Sequence, residues 1–149
     1  METTCQICAR PIKSKNGIIA HHGYKRPGNG WQTNSCPGAR HLPYEVSCDI
    51  LPSTIANIEQ YIKLEETRLE EFINNPPEKI ISRFNTREII RPEGFNHNDK
   101  CFDIRCMTFG TYENEFRSIK YSIEENIKFS NMDLDFMKER LKNWIPQNK

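Results

Sequence analysis

Seven side chains able to hold a soft metal ion fall within the first third of the chain: Cys5, Cys8, His21, His22, Cys36, His41 and Cys48. Cys5-Gln6-Ile7-Cys8 is a C-x-x-C step, whose short backbone folds into a knuckle and brings both thiolates to one ion. Zinc accepts Cys sulfur and His nitrogen in tetrahedral fours, and Zn2+ is the expected cofactor. Cys5, Cys8 and Cys36 are the first three expected ligands. The fourth is His22, His21 or Cys48. Neighbouring residues on a strand face opposite sides, so only one of the paired histidines binds. Counting back across a turn at Asn16-Gly17 sets His22 opposite Pro11, nearer the knuckle than His21, which favours His22. Cys48 would give a four-cysteine site, and spacing alone leaves that open.

A closed set of this kind is structural. Catalytic zinc keeps a position for water, and three thiolates donate enough charge to make the ion a poor Lewis acid. No catalytic residue is therefore assigned. The competing enzymatic reading is an HNH-like metal-dependent nuclease built on His21, His22, Asn34 and His41. Against it, Cys36-Pro37-Gly38 and Pro43 interrupt the helix that would carry the last histidine. A second C-x-x-C is also missing.

The elements that must position these ligands are short. Nine Gly and Pro residues punctuate positions 11–43 and exclude a long helix. Ser14-Lys15-Asn16-Gly17 predicts a hairpin turn, because Asn-Gly tolerates positive φ at both central positions. Ile12 and Ile18-Ile19-Ala20 supply its flanks. A segment this poor in apolar residues needs a staple, and zinc contributes roughly 10–16 kcal/mol of apparent binding energy in small modules.

From Pro52-Ser53 onward the period changes to helical, with Ser53 as the expected N-cap. Leu51, Ile55, Ile58, Ile62, Leu69 and Phe72 form a seam interrupted by Glu65, ending at Asn74-Asn75-Pro76-Pro77. Residues 79–84 and 101–107 alternate like antiparallel strands around a polar loop at 92–99. Cys101 and Cys106 read there as core thiols. Tyr112, Phe116, Ile119, Ile123, Ile127, Leu134, Met137, Leu141 and Trp144 form a second helical stripe ended by Pro146, with Ser130-Asn131 a candidate break. The expected fold is α+β: a small zinc-ribbon-like module over 1–50, then a helical hairpin with a short antiparallel β insert over 51–149.

The chain has 149 residues, 36% hydrophobic and 28% charged, with net charge +1. Residues 1–48 hold six basic and two acidic side chains, or +4, against 15 basic and 18 acidic elsewhere, or −3. Nothing approaches the roughly 20 apolar residues of a membrane span, and the first residues lack signal-peptide character. Cytoplasmic location and reduced thiols are the expectation. The loop Gly23 to Gln32 mixes aromatic, basic and flexible residues. Lys25, Arg26, Trp31 and Arg40 are the candidate nucleic-acid contacts, cations to phosphates and Trp31 to a base. Alternatively, Tyr24 and Trp31 cap the metal site as a miniature core and the charges are solvated.

His21-His22-Gly23-Tyr24-Lys25-Arg26-Pro27-Gly28, with Gly30-Trp31-Gln32-Thr33, Ser35-Cys36, Gly38-Ala39-Arg40 and Pro43-Tyr44-Glu45-Val46-Ser47, resembles small uncharacterised phage and prophage proteins. These pair an N-terminal C-x-x-C with a helical, coiled-coil-like tail. The resemblance covers the first half in specific residues and the second in layout. It implies a mobile-element origin, zinc ligation by Cys5, Cys8, Cys36 and one histidine, and a place in the host-cell cytoplasm. The expected role is a non-enzymatic binding protein whose partner is nucleic acid or a host nucleoprotein complex, inhibition of a CRISPR effector being one version. A coiled-coil scaffold that homodimerises through its C-terminal helix is the third reading.

Overall fold

The computed structural model describes residues 3–26, 30–82, 86–98 and 110–145. They cluster into two units, Met1–Tyr61 with Ser130–Lys149, and Ile62–Phe129. The architecture is mixed α+β: two long helices, α1 (Ile50–Asn74) and α2 (Tyr112–Lys142), and three two-stranded antiparallel sheets. Each helix contributes to both units.

In the first unit, β1 (Thr3–Thr4) pairs with β2 (Pro11–Ile12), and β3 (Ser14–Lys15) with β4 (Ile18–Ile19). Asn16 and Gly17 take φ of 54° and 78°. Two positive values in a two-residue loop are the type I′ pattern that matches strand twist, as the Asn-Gly pair predicts. The Ala20 N–H donates to Lys13 O at 3.0 Å and extends the hairpin by one step.

Helix α1 starts three residues before the expected Ser53 cap, and the reason lies in the knuckle. Gln6 is fully buried. Its side-chain carbonyl accepts the Ile50 N–H (3.3 Å), and its amide donates to Asp49 Oδ1 and Leu42 O, both at 2.9 Å. Gln6 thus satisfies one of the donors that every helix start leaves orphaned. Pro52 sits in the first turn, where a missing N–H costs nothing. The Ser53 hydroxyl instead donates to Ile50 O at 3.1 Å. Leu51, Ile55, Leu134 and Met137 are buried in this unit.

The second unit has an aromatic core. Phe72 stacks on Phe116 at 4.4 Å, and Phe95 meets Tyr112 and Phe116 edge-on at 4.8 and 5.1 Å. Ile80 completes this cluster. Glu65, the polar interruption of the α1 seam, is buried, and Arg68 (3.3 Å) and Asn126 (3.5 Å) hold its two oxygens. Glu65 facing Asn126 and Phe72 facing Phe116 make the helix segments antiparallel within this unit.

The insert differs from expectation. β5 (Lys79–Ile81) pairs with β6 (Glu88–Ile90), in register Ile80↔Ile89. Three residues of β6 are too few to show a period in the sequence. The strand expected at 101–107, with Cys101 and Cys106, lies outside the described residues, as does Pro146. Helix α2 passes through Ser130-Asn131 without a break. Its N-terminus is capped by Thr111, whose hydroxyl accepts the Asn114 N–H at 3.4 Å, and Glu113 and Glu115 lie in the first turn, where a helix dipole favours acid.

Candidate metal centre

Three segments bring four donors within 4.8 Å of one another. Cys5 and Cys8 come from the loop between β1 and β2. Within it the Ala9 N–H donates to Cys5 O (3.1 Å), the Cys5 N–H donates to Arg10 O (3.0 Å), and Ala9 turns back with φ 55°. Cys36 starts a second tight turn closed by the Ala39 N–H on Cys36 O (3.0 Å), after which Arg40 takes φ 66°. Gly38 in this turn passes so close to the first that any Cβ would overlap Cys5 Sγ and crowd Ile7. Cys36-Pro37-Gly38 therefore acts as half a knuckle, facing the Cys5–Cys8 knuckle.

His22 brings the fourth donor. The Cys36 N–H donates to His22 O (2.8 Å) and ties the two segments together. His22 Nδ1 lies 2.8 Å from Ala20 O, a carbonyl that only accepts, so Nδ1 carries the proton and Nε2 the lone pair. That Nε2 sits 3.4 Å from Cys8 Sγ, and Cys5 Sγ sits 3.7 Å from Cys36 Sγ. All four ligand atoms lie within 4.8 Å of one another. A tetrahedral ion with metal–sulfur bonds of about 2.3 Å requires sulfur–sulfur edges of about 3.8 Å and slightly shorter sulfur–nitrogen edges. The Cys5–Cys36 and Cys8–His22 edges match. The Cys5, Cys8, His22, Cys36 set can hold a metal ion.

The three thiols are linked by mutual hydrogen bonds, which lower one of them and raise the other two. Hydrogen bonds from Cys36 and Cys5, followed by those of the Arg10 N–H and side chain, hold the Cys8 thiol far below its ordinary range. Bonding to Cys5 and Cys8 together with burial pushes Cys36 far above it. A divalent cation replaces the protons that the three sulfurs share. Three thiolates on such a cation leave one net negative charge, and two arginines flank it. Arg10 also donates to Gly23 O, next to His22. Arg140 from α2 donates to Cys5 O (3.1 Å) and Gln6 O (3.0 Å) while stacking on Tyr44 at 3.8 Å. Burial pulls the Arg140 guanidinium below its ordinary value, opposed by the charges of Tyr44, Cys5 and Glu45.

The remaining candidates lie elsewhere. His21, Asn34 and His41 are exposed, and Cys48 is half-buried outside the cluster. No second group of three or more metal-ligating side chains converges among the described residues. Arg26 is largely buried and makes a forked ion pair with Asp133 on α2, at 3.0 and 3.1 Å from Nε and 3.0 Å from Nη2. Tyr24 donates to the same carboxylate at 2.6 Å, and burial followed by the Asp133 bond pushes its phenol well above the usual range. Arg26 also covers Trp31 at 4.7 Å from the ring centroid, so these two candidates meet. Lys25 and Arg40 are exposed. At the other end of the chain, Met137 is buried and the Trp144 indole donates to Tyr44 O at 2.7 Å.

Gln6, Arg10, Gly38, Asp133 and Arg140 support the site without having been singled out in the sequence. Only Gly38 carried a local signal, the Cys-Pro-Gly step. No protein-family profile, curated protein or solved structure matches the chain. No helix among the described residues is long and apolar enough to cross a membrane.

Proposed function

We propose that the chain is a zinc-stabilised, non-enzymatic binding protein whose target is nucleic acid or a nucleoprotein complex. The observation that carries this reading is the donor set: the ligand atoms of three cysteines and His22 lie within 4.8 Å of one another, the number and kind of donors that a tetrahedral structural zinc takes. Zinc is the ion because it takes mixed sulfur and nitrogen donors without redox chemistry. An ion so surrounded has no site for a substrate or an activated water, so its work is to hold the first unit together. Function then belongs to the surface that the ion organises. The first unit contains ten basic and seven acidic side chains, net +3, against −2 for residues 62–129. That asymmetry supports a polyanionic target.

The test is to incubate the metal-loaded protein with plasmid and single-stranded DNA in Mg2+ or Mn2+. Intact DNA with salt-sensitive retardation on a gel is the expected result. Cleavage abolished by His41→Ala, in a variant that retains its metal, would overturn the non-enzymatic reading in favour of a nuclease.

A further inference from the structure

Within the first unit a cleft of about 460 Å³ opens beside the metal centre. One wall is the ribbon in which the Arg26 N–H donates to Trp31 O (3.0 Å) and the Thr33 N–H donates to Tyr24 O (2.8 Å). Alternation along this ribbon turns Tyr24, Arg26, Trp31 and Thr33 into the cleft and leaves Lys25 on the outer face. The opposite wall is α1, through Asn57 and Tyr61, and the floor is apolar, formed by Ile7, Ile58 and Met137.

The chemistry of these walls selects the ligand. Asp133 and Arg26 are the charged groups of the cleft, and they neutralise one another through the forked pair, with Tyr24 on the same carboxylate. The cleft therefore offers no net charge to a cation or an anion. It offers aromatic surface instead: Trp31 is 49% exposed although Arg26 covers it from one side, and Tyr61 is 43% exposed. Arg26 lies over one face of Trp31 and Tyr24 meets the indole edge-on at 6.4 Å between centroids, so a further ring would stack on the indole surface that these two leave exposed. Asn57 presents a side-chain amide, the group that pairs with a donor–acceptor base edge. The volume falls within the roughly 300–1,000 Å³ of small-ligand sites and accommodates a base with its sugar. The positive balance of the unit favours a ligand joined to phosphates over an aromatic side chain of a protein.

We propose that this cleft receives an unstacked nucleobase of a single-stranded nucleic acid, stacked against Trp31 with its edge toward Asn57. This rests on the nucleic-acid reading above and specifies its site. A base paired within a duplex cannot enter, so single strands bind in preference to duplex.

The experiment uses the intact metal-loaded protein and three fluorescent probes: a single-stranded oligonucleotide, the same sequence as a duplex, and an abasic strand of equal phosphate count. Fluorescence anisotropy reads affinity, and tryptophan emission reads stacking. The expected result is tightest binding to the base-bearing single strand, with quenching of Trp31 emission that is absent from both Trp31→Phe and Trp31→Ala, and with affinity that Trp31→Phe keeps better than Trp31→Ala. Trp31→Ala should weaken that strand about fivefold to 150-fold while leaving the abasic affinity unchanged. Retained metal stoichiometry and circular dichroism establish that the variant is folded, and Asn57→Ala supplies a second variant that should change the preference among homopolymers. Equal affinity for abasic and base-bearing strands would overturn the cleft proposal and leave the nucleic-acid reading standing. Absence of salt-sensitive binding to all three probes would overturn both.

Discussion

His22 owes its role to the nitrogen that does not face the thiols. Because Ala20 O takes the Nδ1 proton, the ring is held in the tautomer that aims a lone pair at the cluster. His22→Ala should lower metal affinity and the melting temperature together, whereas His21→Ala, at an exposed position, should change neither, as metal titration and thermal melts would show. Gly38→Ala should destabilise the first unit by about 1–3 kcal/mol, since the added methyl has only Cys5 Sγ and Ile7 to displace. A urea midpoint unchanged by this substitution would contradict the close packing of the two turns. Glu45 adds a pH dependence. Burial pushes its carboxyl up, but the Thr4 N–H (3.0 and 3.1 Å) and the Thr4 hydroxyl hold it below its ordinary value. A lowered folded value contributes stability that is present above the unfolded carboxyl pKa, near 4.3, and lost as pH falls through the folded value. Glu45→Gln should therefore be less stable than the native chain at neutral pH, by about 1 kcal/mol after solvent screening, with the difference closing in acid.

At the scale of elements, the knuckle and α1 are one construction. Gln6 lies between two ligand cysteines and caps a helix that starts 44 positions later. Gln6→Ala should cost about 1–2 kcal/mol while leaving one metal per chain. Denaturant unfolding together with metal analysis separates the two effects. The same contact explains what was legible in the residues. The 3–4 spacing of Leu51, Ile55 and Ile62 announced α1, and Asn74-Asn75-Pro76-Pro77 announced its end, because both signals are local. The start was misplaced at Ser53 because the cap comes from far away in the chain. The Asn16-Gly17 turn is legible for the local reason, a register countable across a tight turn. The register counted on toward His22 extends in the structure as far as Lys13 and Ala20, while Pro11 pairs with Thr4. Asp133, which meets Arg26 across 107 positions, leaves no trace in spacing. Arg26, a candidate phosphate contact by its place in a basic loop, is paired with that carboxylate inside the unit. β6 is three residues long and shows no alternation.

At the scale of the whole chain, two units with different means of cohesion share the same two helices. The first has small strands, buried side chains of modest size such as Ile7, Ile19, Leu51 and Ile55, and a four-donor cluster. The second buries Ile80, Tyr112 and Phe116 with Phe72 and Phe95 packed around them, and contains no group of metal donors among its described residues. Removing the ion should accordingly act on one unit first. Hydrogen exchange after chelation should lose protection at 3–26, 30–61 and 130–145 before 62–82 and 110–129. Simultaneous loss throughout would mean that the helices transmit the collapse. The central claim is tested most directly by metal analysis of the purified chain paired with thermal melts in the presence and absence of a strong chelator. One zinc per chain and a melting temperature that falls steeply on chelation are the predicted result. A chain that holds no stoichiometric metal and melts identically in chelator would contradict the account.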